Sequence, residues 1–489
     1  PDAAPGAVGN SAMAGAVLAA DLDAACAAAG GVAFQRSRSA SEPGTLRARD
    51  IAAISFAITC SGPFGVESCL RTFGAAWSMA GFALAFLAFV IPQILMTAEL
   101  SMILPLSNGG VIAWVDRAFG KVVAAVAALN MMVYQLVDLA TYPTLVAGYA
   151  QDLGYSLPGW SAACSSYVVI ALGFLVNLTT IEVATQGYLW ALALILAPFA
   201  VGLALSAGAW PTAWAVVDGR LPATSAPPPP ASLNLFLSTM LWLNTGWDSI
   251  GNLAVEVESP RSLVRGLATA AFACPVVYSA STFGALAAGA AQPWDDGYLA
   301  TAYGRLWPPL TPWIVAMSGL SNFSLYASAL ACVARLIQAM GDEQQGCHLL
   351  PKCFAYRAKN KAPLAALLFV TALEVALVAG LSFEYLIRLS TLVHVLVFWC
   401  LLAAYAHFKF RRADAERKWT LPGGPAAAAA VVLVQVPVLA ALCISAFTDM
   451  NVVWGAIIGN VVFLIALTAW ACYRGQFSLS AMDAMAPLL

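Results

Sequence analysis

The chain has 489 residues, of which 61% are hydrophobic and only 10% are charged, and its formal net charge is −2. A soluble domain keeps about a quarter of its residues charged, so this composition indicates an integral membrane protein, and the near-neutral charge gives no reason to expect a nucleic-acid partner. The 11 cysteines are scattered, mostly in apolar segments, without the spacing of paired metal ligands. We therefore expect no metal site and no cofactor other than a coupling ion.

The sequence predicts an all-α polytopic membrane protein with twelve transmembrane helices. Residues 1–48 are interpreted as a disordered cytoplasmic tail rich in Ala and Gly, and residues 476–489 as a second cytoplasmic tail. Between them lie twelve apolar segments of about 20 residues, the length that crosses a bilayer core. These segments, called spans 1 to 12, are 50–73, 76–103, 119–150, 161–177, 185–207, 231–257, 266–290, 311–338, 363–380, 384–408, 425–447 and 451–473.

Span 1 is predicted to be interrupted in its middle. The apolar run contains Ser61, Gly62, Pro63, Phe64 and Gly65, where proline removes a backbone donor and glycine lowers helix propensity. Unwound backbone at membrane depth is tolerated only where it faces protein, water or a ligand. We therefore expect a substrate cavity at this break.

Span 6 carries a second predicted break, at residues 244–249. Two interrupted helices in corresponding positions of two halves indicate a secondary transporter with an inverted repeat. The prediction is a ten-helix core of two inverted five-helix repeats over residues 49–408, with spans 1 and 6 broken. Residues 409–475 would then add a cytoplasmic loop and two further transmembrane helices.

The basic residues support this topology, because Lys and Arg accumulate in cytoplasmic loops. If the amino terminus is cytoplasmic, only Arg220 and Arg305 of the 23 Lys and Arg residues fall in external loops. Arg71 and Arg388 fall within spans, and all the others are cytoplasmic. We therefore predict that both termini are cytoplasmic.

Several motifs resemble the amino acid-polyamine-organocation superfamily, and within it the branch of eukaryotic polyamine-uptake and light-chain-like amino acid transporters. They are SGPFGVES from Ser61, IPQILMTAEL from Ile91, NGG from Asn108, TYP from Thr141 and the Asn244 to Asp248 segment. The resemblance implies alternating access around a site between spans 1, 3, 6 and 8, and proton coupling. It also implies that a partner-binding cysteine would lie near spans 3 and 4. None occurs between Gln151 and Trp160, so we expect no disulfide-linked heavy chain.

Acidic residues in the spans favour a cationic substrate, since an ionised side chain inside a bilayer is costly and is a functional candidate by default. Glu67 and Asp248 lie at the two breaks, and Asp138 shares one helical face with Tyr134 and Tyr142. Polyamines carry only ammonium groups, which need carboxylates and aromatic walls. We therefore assign substrate binding to the backbone of the span 1 break and to the side chains of Phe64, Glu67, Asp138, Tyr142, Trp247, Asp248 and Tyr326.

Other polar residues have competing interpretations. Glu67 and Asp248 are also placed to cap the second half-helices of their spans. Glu99, near the cytoplasmic end of span 2, is either a structural or gating residue or the proton-coupling residue. His394 is an alternative titrating group for proton coupling, although a lone histidine in a span is more often a packing residue. Glu374 is interpreted as facing neighbouring helices or an additional span.

The predicted function is import of polyamines such as putrescine and spermidine across the plasma membrane by proton symport, with sodium as the other candidate ion. A neutral or cationic amino acid carrier of the same superfamily is the closest alternative. A nutrient sensor without transport is an alternative of another class. An enzyme is not expected, because the three histidines are dispersed and no H-E-x-x-H pair is present.

Overall fold

The computed structural model describes residues 44–103, 106–152, 159–219, 230–289, 294–295, 297–342, 349–358, 361–378, 383–447 and 449–473. Most of the two predicted tails lies outside these residues. The last residues of the first tail are described, and they pair with the end of span 6: Leu46 N donates to Glu256 O at 2.9 Å, and Glu258 N donates to Leu46 O at 3.0 Å.

The described residues form a helical bundle, and each predicted span has a helical counterpart in it. Seven helices are long and apolar enough to cross a membrane, and four shorter apolar helices accompany them. The main helices of spans 3 to 12 are Lys121–Asp152, Gly159–Asn177, Ile181–Leu205, Pro230–Trp242, Pro260–Ala287, Leu310–Gly341, Leu364–Leu377, Phe383–Phe410, Gly424–Ala446 and Met450–Tyr473. The prediction of a polytopic all-α membrane protein is confirmed.

Both predicted breaks are present. Span 1 consists of the helix Ala48–Thr59 and, after seven non-helical residues, the start of the helix Glu67–Ala85. Gly74, with φ of 76°, kinks that second helix and separates span 1 from span 2. Span 2 continues through a π-helical turn, Phe86–Val90, into the helix Ile91–Leu100. Span 6 leaves the α conformation after Trp242 and resumes as a 3-10 helix, Asp248–Glu256.

The pattern of helix contacts fits two related halves of five spans. Span 1 packs on span 7 and span 6 packs against span 2; likewise span 3 packs on span 10 and span 8 packs on span 5. Span 8 contacts both span 1 and span 3. Spans 11 and 12 pack outside this arrangement, against span 10, and reach spans 6 and 3 respectively. The two broken spans are therefore enclosed by the ten-helix core.

The second half of span 6, the 3-10 helix Asp248–Glu256, packs against the short helix Gly110–Phe119. Gly251 lies so close to the Trp114 ring that a side chain there would overlap it. The Asn108 side chain accepts a hydrogen bond from Val255 N at 3.0 Å. The span 2 to span 3 connection, which carries the Asn108 motif, thus fixes the position of the segment that follows the second break.

Candidate functional site

The break in span 1 is a tight loop that local sequence explains. Cys60 N and Ser61 N both donate to Phe56 O, and Gly62 N donates to Cys60 O at 2.6 Å. Ser61 has φ of 50° and Gly65 has φ of 85°, a region that favours glycine. All the residues of this loop that were assigned to the site, including Pro63, are buried.

Glu67 begins the second half-helix of span 1 and caps its own loop. Its Oε2 accepts from Gly65 N at 3.0 Å, and the side chain is fully buried. A carboxylate at the amino end of a helix is stabilised by the helix dipole and by free backbone N–H groups. Of the two interpretations of Glu67, this contact supports the cap.

Three side chains in the span 6 break donate hydrogen bonds to backbone carbonyl groups three or four residues earlier. Asn244 Nδ2 donates to Met240 O at 2.8 Å, Thr245 Oγ1 to Trp242 O at 3.0 Å, and Trp247 Nε1 to Asn244 O at 2.8 Å. Gly246 has φ of 107°. The Trp247 indole N–H is therefore satisfied within the break and its ring is buried there.

The two breaks meet in the middle of the bundle. A Cβ at Gly246 would lie 3.2 Å from Ile58 O, and one at Gly65 would lie 2.9 Å from the Trp242 ring. Tyr278 of span 7 joins them, because its hydroxyl donates to Leu243 O at 2.8 Å and lies 3.5 Å from Thr59 O. The close approach of two unwound segments, predicted from sequence, is present.

A small cavity lies between the breaks. Its volume is about 10 Å³, which is roughly the room that one water molecule needs. It is lined by Thr59, Cys60, Phe64, Tyr142, Trp242, Leu243, Tyr278 and Leu325. A larger cavity of about 340 Å³, between spans 2, 6 and 11, is lined by apolar residues and glycine, so it offers nothing to bind a polar solute. The central site is closed in this conformation.

Asp138 and Tyr142 act together at the edge of this cavity. The Tyr142 hydroxyl donates to Asp138 Oδ2 at 2.7 Å, as their spacing on one helical face predicts. Asp138 Oδ1 is buried and has no hydrogen-bond partner. The carboxylate also faces the Trp242 indole and lies within electrostatic range of Asp248 and His394.

Asp248 opens the second half of span 6 and pairs with His394 of span 10. The two side chains are buried, and His394 Nε2 lies 3.2 Å from Asp248 Oδ2, while Asp248 Oδ1 has no hydrogen-bond partner. The His394 ring is stacked between Tyr134 and Phe398, with centroid distances of 3.4 and 3.9 Å. Tyr134 in turn lies close enough to Asp138 and Asp248 for both carboxylates to act electrostatically on its hydroxyl.

The structure therefore brings Asp138, Tyr142 and Asp248 together with Phe64 and the span 1 loop. Two other predicted residues lie apart from this group. Tyr326 packs over Gly173 of span 4 and faces Glu374 of span 9. Glu99 lies at the other end of span 2, where Lys409 Nζ and Arg417 Nη1 contact it at 2.8 and 2.7 Å and Leu421 N donates to it at 3.1 Å.

Sequence reasoning missed three residues of the central group: Trp242, Tyr278 and His394. Trp242 immediately precedes the second break, so its position was a usable signal. His394 is a lone histidine in an apolar helix, where only the position of Asp248 opposite distinguishes it from packing. Tyr278 carries no sequence signal, because one tyrosine in span 7 is ordinary.

Comparisons with known proteins agree with this architecture. The family model described as amino acid permease matches residues 54–467. The chain is 28% identical over 420 residues to the polyamine transporter PUT1 of Oryza sativa subsp. japonica, which covers 83% of this chain and 75% of that protein. It is 26% identical over 427 residues to the polyamine transporter RMV1 of Arabidopsis thaliana, covering 84% and 82%. The chain thus belongs to the amino acid permease family of the amino acid-polyamine-organocation superfamily, and it is a multi-pass membrane transporter and not an enzyme.

Proposed function

We propose that the protein imports polyamines across the plasma membrane by proton symport and alternating access, with both termini in the cytoplasm. The observation that carries the proposal is the pair Asp138 and Asp248. Each is buried beside a break, and each has one carboxylate oxygen without a hydrogen-bond partner. Buried acceptors are normally satisfied, so these two oxygens fit donors that come with a substrate.

An ammonium group has the required chemistry, because it has three donors and no acceptor. An ammonium 4 Å from a carboxylate gains about 4 kcal/mol at an effective dielectric of 20, before desolvation costs. The Trp242 and Phe64 rings line the central cavity together with Tyr142, which donates to Asp138, and each cation–π contact adds roughly 0.5–2 kcal/mol. In this proposal Asp138 and Asp248 hold two amino groups, and the backbone of the span 1 loop lines the space between.

The site must change conformation during transport. The cavity is far smaller than any diamine, so helices around it must separate to admit substrate. The Gly62 and Gly65 loop and the Gly246 turn are the pivots, since they already lack helical hydrogen bonds. Sodium remains the other candidate ion. The plant relatives named polyamine transporters support the choice of polyamine, and the basic residues predicted to be cytoplasmic support the orientation.

An amino acid carrier is the second candidate, because the matched family is described as amino acid permease. Free backbone N–H groups at the two half-helix amino ends could bind a substrate carboxylate. Glu67 weakens this alternative, since its carboxylate already occupies the amino end in span 1.

The deciding experiment is uptake of radiolabelled putrescine, leucine and arginine in a host lacking its own carriers. We expect saturable putrescine uptake that excess spermidine blocks and excess leucine does not. Saturable leucine uptake that is insensitive to putrescine would reject the polyamine assignment. Accumulation in proteoliposomes separates a carrier from a sensor, because a sensor binds substrate without concentrating it.

A further inference from the structure

Glu374 is an acidic side chain that the proposed substrate site does not use. It lies in the helix Leu364–Leu377 of span 9, and it is fully buried. Both of its carboxyl oxygens lack a hydrogen-bond partner. A buried side chain with two unsatisfied charged acceptors is rare in proteins, so its presence in a membrane-embedded helix calls for an explanation.

In the part of the chain that the structure describes, no cationic side chain donates a hydrogen bond to Glu374. Span 9 packs against spans 3, 4 and 8. From span 8, Tyr326 faces it with a buried hydroxyl that has no hydrogen-bond partner; from span 3, Asp138 lies within electrostatic range. Span 4 presents Gly173, on which the Tyr326 ring rests. The turn Lys352–Ala355 packs nearer the amino end of span 9, where the ring centroids of Phe354 and Phe369 are 5.4 Å apart.

An ionised Glu374 is unfavourable in this environment. Taking an unpaired carboxylate out of water costs several kcal/mol even after relaxation, and the nearby carboxylate of Asp138 adds repulsion. Burial without a partner therefore favours the neutral carboxylic acid over the carboxylate in the closed conformation. Glu374 lines neither the central cavity nor the apolar cavity between spans 2, 6 and 11. A proton needs no cavity.

We propose that the Glu374 carboxyl is the proton-binding site of the transport cycle, an inference that rests on the proton coupling proposed above. In the conformation that exposes it, the ionised Glu374 carboxylate takes a proton from hydronium, so that an O–H bond of hydronium breaks, a carboxyl O–H bond forms and water is left. The helices can then close around it, because closure with the ionised form would bury an unpaired charge. When the opposite side opens, the O–H bond breaks and the proton passes to water.

Glu374→Gln tests this assignment, since the amide is neutral and has nearly the shape of the protonated acid. In proteoliposomes we expect the variant to keep exchange of external labelled putrescine for internal putrescine within about twofold of wild type. Accumulation driven by an imposed pH gradient should fall at least tenfold, and uptake should lose its dependence on external pH. Glu258→Gln is the matched control, because Glu258 is an exposed acid at the end of span 6, and it should retain pH-driven accumulation.

Two further variants keep the test decisive. Glu374→Leu removes the unsatisfied polar atoms, so it should fold at least as stably as wild type and should also lose pH-driven accumulation. Glu374→Asp keeps a titratable group and should retain coupling. Wild-type accumulation by either neutral variant overturns the proposal. Failure of both neutral variants to reach the membrane also contradicts it, because a neutral side chain is the form that the closed conformation holds.

The outcome is separable from that of the proposed function. If wild type carries leucine and not putrescine, the polyamine assignment fails, and the same variants are then assayed with leucine. If wild type carries putrescine and Glu374→Gln still concentrates it with a pH gradient, only the proton site is wrong.

Discussion

Acidic side chains are buried in two regions of this molecule, and their partners differ sharply. At the predicted cytoplasmic end, Glu99 is contacted by Lys409 and Arg417, and Glu256 accepts from Arg335 Nε at 2.8 Å. In the middle of the bundle, Asp138 and Asp248 each keep a carboxylate oxygen without a partner. In the first region each acid has a Lys or Arg partner, whereas in the second region each acid keeps one oxygen without a donor.

This contrast indicates that buried charge serves folding in one region and transport in the other. A buried ion pair whose members all belong to the chain holds helices together, and losing one member leaves an uncompensated charge. A buried carboxylate oxygen without a partner contributes no hydrogen bond to folding and is available to a cation from outside. Substitutions in the two regions should therefore change different quantities, stability in one and uptake in the other.

The largest effect is expected from Glu99→Gln. It leaves Lys409 and Arg417 buried beside a neutral amide, and breaking a buried pair costs about 3–5 kcal/mol. We expect a strong loss of thermal stability in detergent and of surface expression. Glu416→Gln is the matched control, because Glu416 is exposed in the same loop, and it should be as stable as wild type. A stable Glu99→Gln variant with altered proton dependence would restore Glu99 as the proton-coupling residue.

Asp138→Asn should act in the opposite way. The amide can still accept from the Tyr142 hydroxyl, so stability should stay at or above that of wild type. Loss of one carboxylate–ammonium contact should lower the kcat/KM of putrescine uptake about 100-fold, a change of about 2.7 kcal/mol. Surface expression measured in the same cells is the control. Normal uptake by Asp138→Asn and by the corresponding Asp248→Asn would remove both proposed ligands.

A smaller effect is expected from Tyr142→Phe. The ring contact with Trp242, at a centroid distance of 6.1 Å, is preserved, while the hydrogen bond to Asp138 is lost. A hydrogen bond to a charged group contributes about 1.5–3 kcal/mol, part of which the substrate ammonium can replace. We expect the KM for putrescine to rise about tenfold with little change in kcat. An equal fall in kcat would mean that the hydroxyl acts in the conformational step.

The sequence predicted the fold well because length, hydropathy and helix breakers are local properties. Gly62 and Pro63 interrupt span 1 whatever its neighbours in the fold are. The twelve spans are recognised by the length of their apolar runs. The partners of the acids are not local. Glu99 meets Lys409 across 310 residues, and Asp248 meets His394 only because spans 6 and 10 are neighbours. Whether a buried acid has a hydrogen-bond or charge partner therefore depends on how the helices pack, which the sequence alone does not show.

The two tryptophans beside the second break differ in a similar way, because one is bonded within the fold and the other lines the cavity. Sequence favoured Trp247 as a cavity wall, but its Nε1 donates to Asn244 O, whereas Trp242 lines the cavity and faces Asp138. Trp242→Phe keeps an aromatic wall of weaker cation–π character, so the KM for putrescine should rise about threefold to fivefold, within the range of roughly 0.5–2 kcal/mol for such contacts. Trp247→Phe should leave that KM near wild type and instead lower thermal stability by about 1 kcal/mol, the usual contribution of one hydrogen bond. If the two variants exchange these phenotypes, the wall of the cavity is formed by Trp247, and the break must reorganise when substrate binds.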